Sequence, residues 1–427
     1  MPLILSNLTV PLLGMVDTAV VGRLAEPHHL GAVALGAVAV NTLVWSFAFL
    51  RTATGGLTAQ AFGAEDRAEM SLAPLRAALL AVVAAVLILA ASPLFTGGAL
   101  ALFDPPPSTV PGLEAYLHIR LFGLPAIFLN HVAIGWFLGR QRPLVPLAML
   151  TLANGLNAVL DVLFVLHWNF GVEGVAVATL IADHAALAIA LVFARREGRA
   201  SGRVPLDRAR LLYAPALTRF FRLARDIFVR TLLMQVVTVG FAALGARQGE
   251  LVLAANAVLL TFFALQAHGL DGFADATEAM TGRAVGRRSP DELRRAARAG
   301  FVNAGILASL LTLVFALAGP AVVDLLTTIE PVRETARLYL PYVVALPLLS
   351  VWAFVFDGIF FGATRGADMR RAMLWSVAGF GVAALLLTPA FGNHGLWTAF
   401  LFYMALRGLV LAAVYRRADR GAAFACP

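Results

Sequence analysis

Twelve apolar runs, each long enough to cross about 30 Å of hydrocarbon, follow one another along this 427-residue sequence, separated by short polar loops. They lie near residues 2–22, 30–58, 72–102, 112–138, 143–166, 171–194, 217–245, 249–275, 296–326, 335–362, 371–391 and 394–415. Hydrophobic residues make up 60% and charged residues 14% of the chain, against about 45–50% and 25% in soluble domains. The sequence therefore predicts an all-α polytopic membrane protein.

The basic residues predict how the chain is oriented in the membrane. All of them are arginines, and they concentrate in alternate loops. The rich loops and the tail contain Arg67, Arg76, Arg140, Arg142, the runs 195–225 and 283–298, Arg365, Arg370, Arg371, Arg416, Arg417 and Arg420. The other loops contain little beyond Arg23, Arg247, Arg333 and Arg337. Because arginine-rich loops stay cytoplasmic, we expect both termini of a multi-pass protein of the bacterial inner (plasma) membrane to be cytoplasmic.

The sequence lacks the motifs that identify several other classes of protein. The chain has no lysine, so it lacks the P-loop lysine of ATP-driven transporters. Its single cysteine, Cys426, leaves no internal disulfide and no cysteine-based metal site. Neither a His-Glu-x-x-His nor a Gly-x-Ser-x-Gly motif is present. We therefore do not expect an enzyme, and we expect no cofactor beyond a transported ion.

The sequence repeats itself after 223 residues. The stretch "GWFLGRQRPLVPLAML" aligns with "GIFFGATRGADMRRAML", and matched pairs are Gly135/Gly358, Gly139/Gly362, Arg142/Arg365 and Gly63/Gly286. Each repeat contains six predicted helices, so the halves insert with the same topology and should form two parallel, pseudo-symmetric six-helix lobes around a central cleft. The predicted parts are an N-lobe (1–194), a cytoplasmic linker (195–216), a C-lobe (217–416) and a cytoplasmic tail (417–427).

Carboxylates inside apolar runs are the strongest functional candidates, because such residues usually face a cavity or a partner. Asp17 lies within the first run, after Pro2, which removes a backbone hydrogen bond and permits a bend. Asn154, Asn157 and Asp161 share one face of the fifth run. Their oxygens resemble half of a site for a small hard cation.

The second half contains further acids. Asp271, Asp275 and Glu278 share a helix face, with Glu278 placed near the cytoplasmic loop, and Asp357 lies among glycines in the tenth run. The alternative for each acid is an interhelical hydrogen bond or a charge pair.

Two further expectations concern buried or interfacial charges. We expect a simple i, i+4 pair between Asp226 and Arg230. Arg51, Arg120 and Arg407 are expected to extend to the membrane interface, and Asp183 and His184 are weak site candidates.

A buried carboxylate can drive transport without ATP. Burial disfavours its charge and a nearby cation favours it, so it can exchange a proton for Na⁺ or for substrate. Ion and cargo must then favour different conformations. The sequence leaves H⁺ and Na⁺ open as the coupling ion.

These motifs resemble the multidrug and toxic compound extrusion (MATE) family, DinF-like branch. The resemblance is carried by "SNLTVPLLGMVDTAVVGRL", "FLRTATGGLTAQAFGA", "GWFLGRQRPLVPLAMLTLANGLNAVLDVLFV", "VEGVAVATLIADH", "LDGFADATEAMTGRAVG" and "DGIFFGATR", and it extends over essentially the whole chain. It implies twelve helices in two lobes and drug efflux driven by H⁺ or Na⁺. The sequence departs from the family in opening directly on its first helix.

The resemblance also implies a set of functional residues. The coupling site would lie in the N-lobe and comprise Asp17, Asn157, Asp161, Thr179 and Tyr116, with Pro2 as the kinking proline. Na⁺, where it is the coupling ion, would bind at Asp17, Asn157, Asp161 and Thr179. Asp357 would match a tenth-helix acid that matters in other branches, with Asp271, Asp275 and Glu278 as secondary candidates.

Two functions stay open at this point. The first is a cation-coupled exporter of amphipathic, often cationic small molecules, which acts in the lipid bilayer as a monomer and without nucleic acid. The second is a lipid-linked precursor flippase of the same superfamily. A flippase for anionic head groups should line its cleft with arginine, whereas acids predominate within these apolar runs.

Overall fold

Every regular element that the computed structural model describes, over residues 27–200 and 208–420, is a helix. The helices up to residue 211 are α1 (Pro27–Ser46), α2 (Phe49–Gly63), α3 (Arg67–Ala90), α4 (Ser92–Phe103), α5 (Val110–Phe122), α6 (Leu124–Gly139), α7 (Leu144–Asp161), a π-helix (Val162–His167), α8 (Gly171–Ala200) and α9 (Arg208–Leu211). The others are α10 (Ala214–Ala246), α11 (Glu250–Gly286), α12 (Pro290–Leu326), α13 (Glu330–Gly362), α14 (Gly366–Phe391) and α15 (Asn393–Arg420).

The number of membrane spans agrees with the prediction. Ten helical segments of the described chain are long and apolar enough to cross a membrane, and the bent pair α5–α6 makes an eleventh. The predicted first span, near residues 2–22, lies outside the described residues. The prediction of an all-α polytopic membrane protein is confirmed.

Three predicted spans are interrupted: the run over 30–58 by a turn at residues 47–48 between α1 and α2, and two others where a new helix starts at a proline. The run predicted over 72–102 divides at Ala91 into α3 and α4, and the run over 112–138 bends by 47° at Gly123 between α5 and α6. A proline lies in the first two positions of both α4 and α6. Proline has no backbone N–H to continue the preceding ladder of hydrogen bonds, so the helix is interrupted at each of these two positions.

Other helices run beyond their predicted ends. The helix predicted to end at residue 275 continues to Gly286, and α8 continues to Ala200, inside the stretch predicted as linker. Hydropathy identifies only the apolar segment that lies in the lipid. A helix can extend beyond that segment, because its backbone hydrogen bonds do not depend on the polarity of the side chains. Sequence hydropathy therefore placed these helix ends too early.

The chain forms two compact units. The first comprises the described residues up to Ala61 together with Glu65–Phe220, and the second comprises Phe62–Ala64 and the described residues from Phe221 onward. In the first unit, side chains of α1, α5 and α8 pack into one apolar core. In the second, α13 is the central helix: 72% of its apolar membrane-spanning stretch is buried, a larger share than in any other described span.

The internal repeat is visible in how helices approach each other within each unit. A Cβ atom on Gly135 of α6 would lie 2.1 Å from the carbonyl oxygen of Arg51 in α2. The equivalent Gly358 of α13 would place a Cβ 2.3 Å from the carbonyl oxygen of Ala274 in α11. Both partners are also 223 positions apart, so the repeated glycines permit the same close crossing twice.

The repeat also extends to how two equivalent helices begin. The Asp66 carboxylate accepts from the backbone N–H of Glu69 at 3.0 Å and caps α3. The Ser289 hydroxyl accepts from the backbone N–H of Glu292 at 3.3 Å and caps α12. These side chains bind N–H groups that have no partner inside the helix, so the two halves begin the same helix in the same way.

Candidate functional site

The polar face predicted on the fifth span is a buried feature of α7. Asn157 and Asp161 both have 0% exposure, whereas Asn154, one turn earlier, is only half-buried. Asp161 is the last residue of α7, and the π-helix Val162–His167 follows it directly. Single π-helical turns inside helices are frequent at functional sites, so this end of α7 combines a buried carboxylate with an unusual backbone.

Thr179 of α8 is in direct contact with this face. The Asn157 Nδ2 group donates to Thr179 Oγ1 at 3.3 Å, and Thr179 Oγ1 donates in turn to the Val175 carbonyl at 3.0 Å. The Asn157 Oδ1 atom is buried and has no hydrogen-bond partner within the described chain. A buried amide oxygen without a donor is costly, and it is an oxygen ligand of the kind that a hard cation prefers.

Tyr116 of α5 lies in the apolar core that joins α1, α5 and α8. Its side chain is 6% exposed and belongs to the same cluster as Val165 and Val175. Its ring lies directly on Gly36 of α1, where a Cβ atom would be 2.3 Å from the nearest ring carbon. Only glycine leaves room for this ring, so α1 fixes where the tyrosine can lie.

Asp17 and Pro2, the remaining members of the predicted set, lie outside the described residues. Of the four members within the described chain, the structure brings Asn157 and Thr179 into hydrogen-bond contact and buries Asp161 one turn beyond Asn157. No group of three or more His, Cys, Asp or Glu side chains within the described ranges is arranged to hold a metal ion.

Asp357 is surrounded differently from the acid of α7. Its Oδ2 atom accepts hydrogen bonds from Arg230 of α10 and from Arg407 of α15, and all three side chains are buried. The guanidinium groups also stack on aromatic rings, Arg230 on Phe361 at 5.1 Å and Arg407 on Phe354 at 5.6 Å. The second unit therefore contains an ion cluster that joins three helices.

The observed ion pairs correct three expectations. Arg407 does not extend to the interface, since it is 2% exposed and bound to Asp357. Arg120 is also buried, at 7% exposure, and paired with Asp183. The Asp226–Arg230 pair is wrong as well, because Arg230 turns to Asp357. In each case a charge far away in sequence offers a better-shielded partner than the interface or the neighbouring turn.

Asp226, one turn before Arg230 on α10, instead forms its own contacts. Its Oδ1 atom accepts from Arg370 Nη1 at 2.6 Å and from Arg225 Nη2 at 3.0 Å. The pair with Arg370 joins α10 to α14, whereas the pair with Arg225 lies within α10.

One acid of α11, Glu278, is deeper than predicted. Because α11 continues to Gly286, Glu278 lies two turns inside the helix with 7% exposure and is not beside the loop. Asp275 is buried at 6% exposure and Asp271 is half-buried. Asp271 also interacts electrostatically with both Arg230 and Arg407, so it takes part in the charge balance of the ion cluster.

Sequence reasoning gave too little weight to one pair in the first unit. Arg120 Nη1 of α5 donates to Asp183 Oδ2 of α8 at 2.8 Å. These residues follow Tyr116 and Thr179, respectively, by four positions, and i, i+4 residues share a helix face. That spacing was the signal that could have identified them as neighbours of the predicted site.

Comparison with known proteins places the chain in a family. The model of the family described as MatE matches the sequence twice, over residues 2–163 and 227–389. The two matches follow one another along the chain, as the internal repeat does.

Individual relatives align with this chain over nearly its whole length. "DNA damage-inducible protein F" of Escherichia coli (strain K12) is 40% identical over 417 residues, covering 98% of this chain and 90% of the relative. "Probable multidrug resistance protein NorM" of Bradyrhizobium diazoefficiens is 28% identical over 419 residues, covering 93% and 88%.

A solved structure supports the fold. It is described as an outward-facing conformation of a multidrug resistance MATE family transporter of the MOP superfamily, and it aligns with a TM-score of 0.85 at 21% identity over 99% of this chain and 94% of that chain. The resemblance read from the motifs is thus confirmed, and the chain belongs to the MatE family of membrane transporters.

Proposed function

We propose that this protein is a secondary active antiporter that exports amphipathic, often cationic compounds, driven by the inward flow of H⁺ or Na⁺. The observation that carries this proposal is the pair Asn157 and Asp161, fully buried one turn apart in a transporter-family chain. Relatives whose names describe multidrug resistance support export of foreign compounds. Export of this kind changes no covalent bond, so the proposed protein is not an enzyme.

The proposed coupling step is an exchange at the first-unit site. In the proposal, Asp161 and Asp17 carry the charge that binds H⁺ or Na⁺, and Asn157, Thr179 and Tyr116 supply neutral oxygens. A carboxylate inside a membrane is costly unless it serves a pathway or has a partner. Occupation of the site by the ion or by cargo would stabilise different conformations, which is the condition for coupled transport.

In this proposal, the buried acid Asp357 of the second unit stabilises the structure and does not bind the coupling ion. Asp357 already accepts hydrogen bonds from Arg230 and Arg407, so releasing it for ion exchange would leave two buried guanidinium groups without their carboxylate. We therefore assign Asp357 a structural role. Asp271, Asp275 and Glu278 stay secondary candidates for cargo or ion contacts.

The flippase alternative would require arginines free to bind anionic head groups. The buried arginines of the second unit, Arg230 and Arg407, are both engaged with Asp357. Acidic and amide oxygens in the first unit suit cationic partners better. We propose further that the protein acts as a monomer in the bacterial inner membrane, with both termini cytoplasmic.

Dye efflux from proteoliposomes tests this function. Vesicles containing purified protein would be loaded with ethidium, a cationic planar dye, and given an imposed pH gradient or an imposed Na⁺ gradient. We expect efflux above that of protein-free vesicles with one of these gradients and none without a gradient. Efflux that is independent of both gradients, or absent with both, would refute cation-coupled export.

A further inference from the structure

A partly buried ion pair lies one helical turn beyond the proposed coupling site. Arg120 Nη1 donates to Asp183 Oδ2 at 2.8 Å, and the arginine and aspartate side chains are 9% and 24% exposed. Arg120 follows Tyr116 on α5, and Asp183 follows Thr179 on α8, each by four residues. Charged side chains inside a membrane span cost free energy and usually have a functional role. We therefore asked what role a pair at this position has.

The pair is connected to the coupling residues by further contacts. The Arg120 guanidinium also interacts electrostatically with the Tyr116 hydroxyl, so it interacts with a residue of α5 as well as with Asp183 of α8. On α8, Thr179 accepts from Asn157 at 3.3 Å. Polar contacts therefore join α8 to α7 at Thr179 and, one turn further along, join α8 to α5 at Asp183.

The pair also lies at the 47° bend between α5 and α6. A Cβ atom on Gly123, the bend residue, would lie 3.1 Å from the Arg120 carbonyl oxygen and 3.6 Å from Asp183 Oδ2. On the other side of the bend, Asn130 Nδ2 of α6 donates to the Asp183 carbonyl at 2.9 Å. Asp183 therefore holds both halves of the bent span against α8.

We propose that Arg120 and Asp183 are positioning residues of the coupling site. They fix the Tyr116 hydroxyl on α5 and the Thr179 face of α8 relative to Asn157 and thereby set the affinity for the coupling cation. This inference rests on the proposed function. The other charged or titratable groups that face the pair are Tyr116, which acts on Arg120, and His184, which acts on Asp183.

The test measures cation affinity separately from maximal rate. Asp183→Asn leaves every proposed ligand in place but releases Arg120. Because loss of a group that orients metal ligands commonly costs 10–100-fold in affinity, we expect the half-saturating concentration of the coupling cation for ethidium efflux to rise about 10-fold. Asp183→Glu, which keeps the charge, should restore most of the affinity.

The chain provides a matched control between the same bent span, α5–α6, and α8. Arg140, at the end of α6, and Glu197 of α8 form an ion pair at 2.8 Å, with exposures of 12% and 19%. Glu197→Gln breaks this pair far along α8 from Thr179, and we expect unchanged cation affinity. Thermal unfolding in detergent, measured for both variants, reports any purely structural effect.

A second variant and a parallel control distinguish the possible outcomes of this test. If Asp183→Asn does not accumulate in the membrane, the double variant Arg120→Gln/Asp183→Asn removes both charges together and carries the same expectation. Cation affinity equal to wild type, or changed equally in Asp183→Asn and Glu197→Gln, would overturn the positioning role. Asp161→Asn, run in parallel, separates the two proposals, since wild-type transport by that variant refutes the coupling site itself.

Discussion

Asp161 and Asp357 are both aspartates inside apolar helices, yet their surroundings differ. Asp161 follows the buried Asn157 on α7, whereas Asp357 accepts from two arginines. The sequence identified both acids as buried, because hydropathy around each is high. It could not identify the arginine partners, which lie 127 and 50 residues away along the chain. Pairing of distant charges depends on tertiary packing, which local spacing does not encode.

The residue scale yields a prediction for Asp357. Asp357→Asn leaves Arg230 and Arg407 buried without the carboxylate to which both donate, so we expect the free energy of unfolding to fall by about 3–5 kcal/mol. Unfolding in detergent, followed by circular dichroism, measures the change. The control is Asp291→Asn on α12, whose side chain is 80% exposed, with an expected change within about 0.5 kcal/mol. Equal stability of the two variants would contradict a structural ion cluster.

At the scale of elements, the repeat was the most informative sequence signal. Glycines 223 residues apart predicted two related halves, and the structure explains them by two equivalent close crossings, α2 with α6 and α11 with α13. Helix ends and bends were predicted less well. The break at Ala91 and the bend at Gly123 depend on prolines that hydropathy alone does not separate from the apolar run.

The equivalent crossings predict equivalent costs. Gly135→Ala and Gly358→Ala each place a Cβ within 2.3 Å of a facing carbonyl, and overpacking of this kind typically costs about 1–3 kcal/mol. Controls are Gly155→Ala and Gly305→Ala, where nothing lies within 4 Å and alanine should favour the helix by about 0.5–1 kcal/mol. Thermal unfolding in detergent measures all four. Similar stability of the two pairs would contradict the close crossings.

At the scale of the whole molecule, the sequence predicted the membrane class, the number of spans within the described residues and the family. Arginine placement predicted the orientation, and this prediction can be tested with the single native cysteine.

The fifth-span face was predicted from spacing alone. Thr179 and Tyr116 were added by the family resemblance, because a lone threonine or tyrosine in an apolar helix carries no spacing signal of its own.

Cys426 in the C-terminal tail provides the orientation test. With the C-terminus cytoplasmic, a membrane-impermeant maleimide should label Cys426 in inside-out vesicles and leave it unlabelled in intact cells, because the reagent cannot cross the bilayer. Cys426→Ala provides the background. Labelling in intact cells would place the tail outside and contradict the orientation predicted from the arginines.

Efflux by Asp161→Asn tests the central claim most directly, which is that the buried oxygen face of α7 couples cation entry to export. Asparagine keeps the shape of the side chain and removes the charge that the cation requires. At equal incorporation into proteoliposomes, we predict that this variant loses gradient-driven ethidium efflux while Asp291→Asn retains it. Wild-type efflux by Asp161→Asn under the driving gradient would contradict the account.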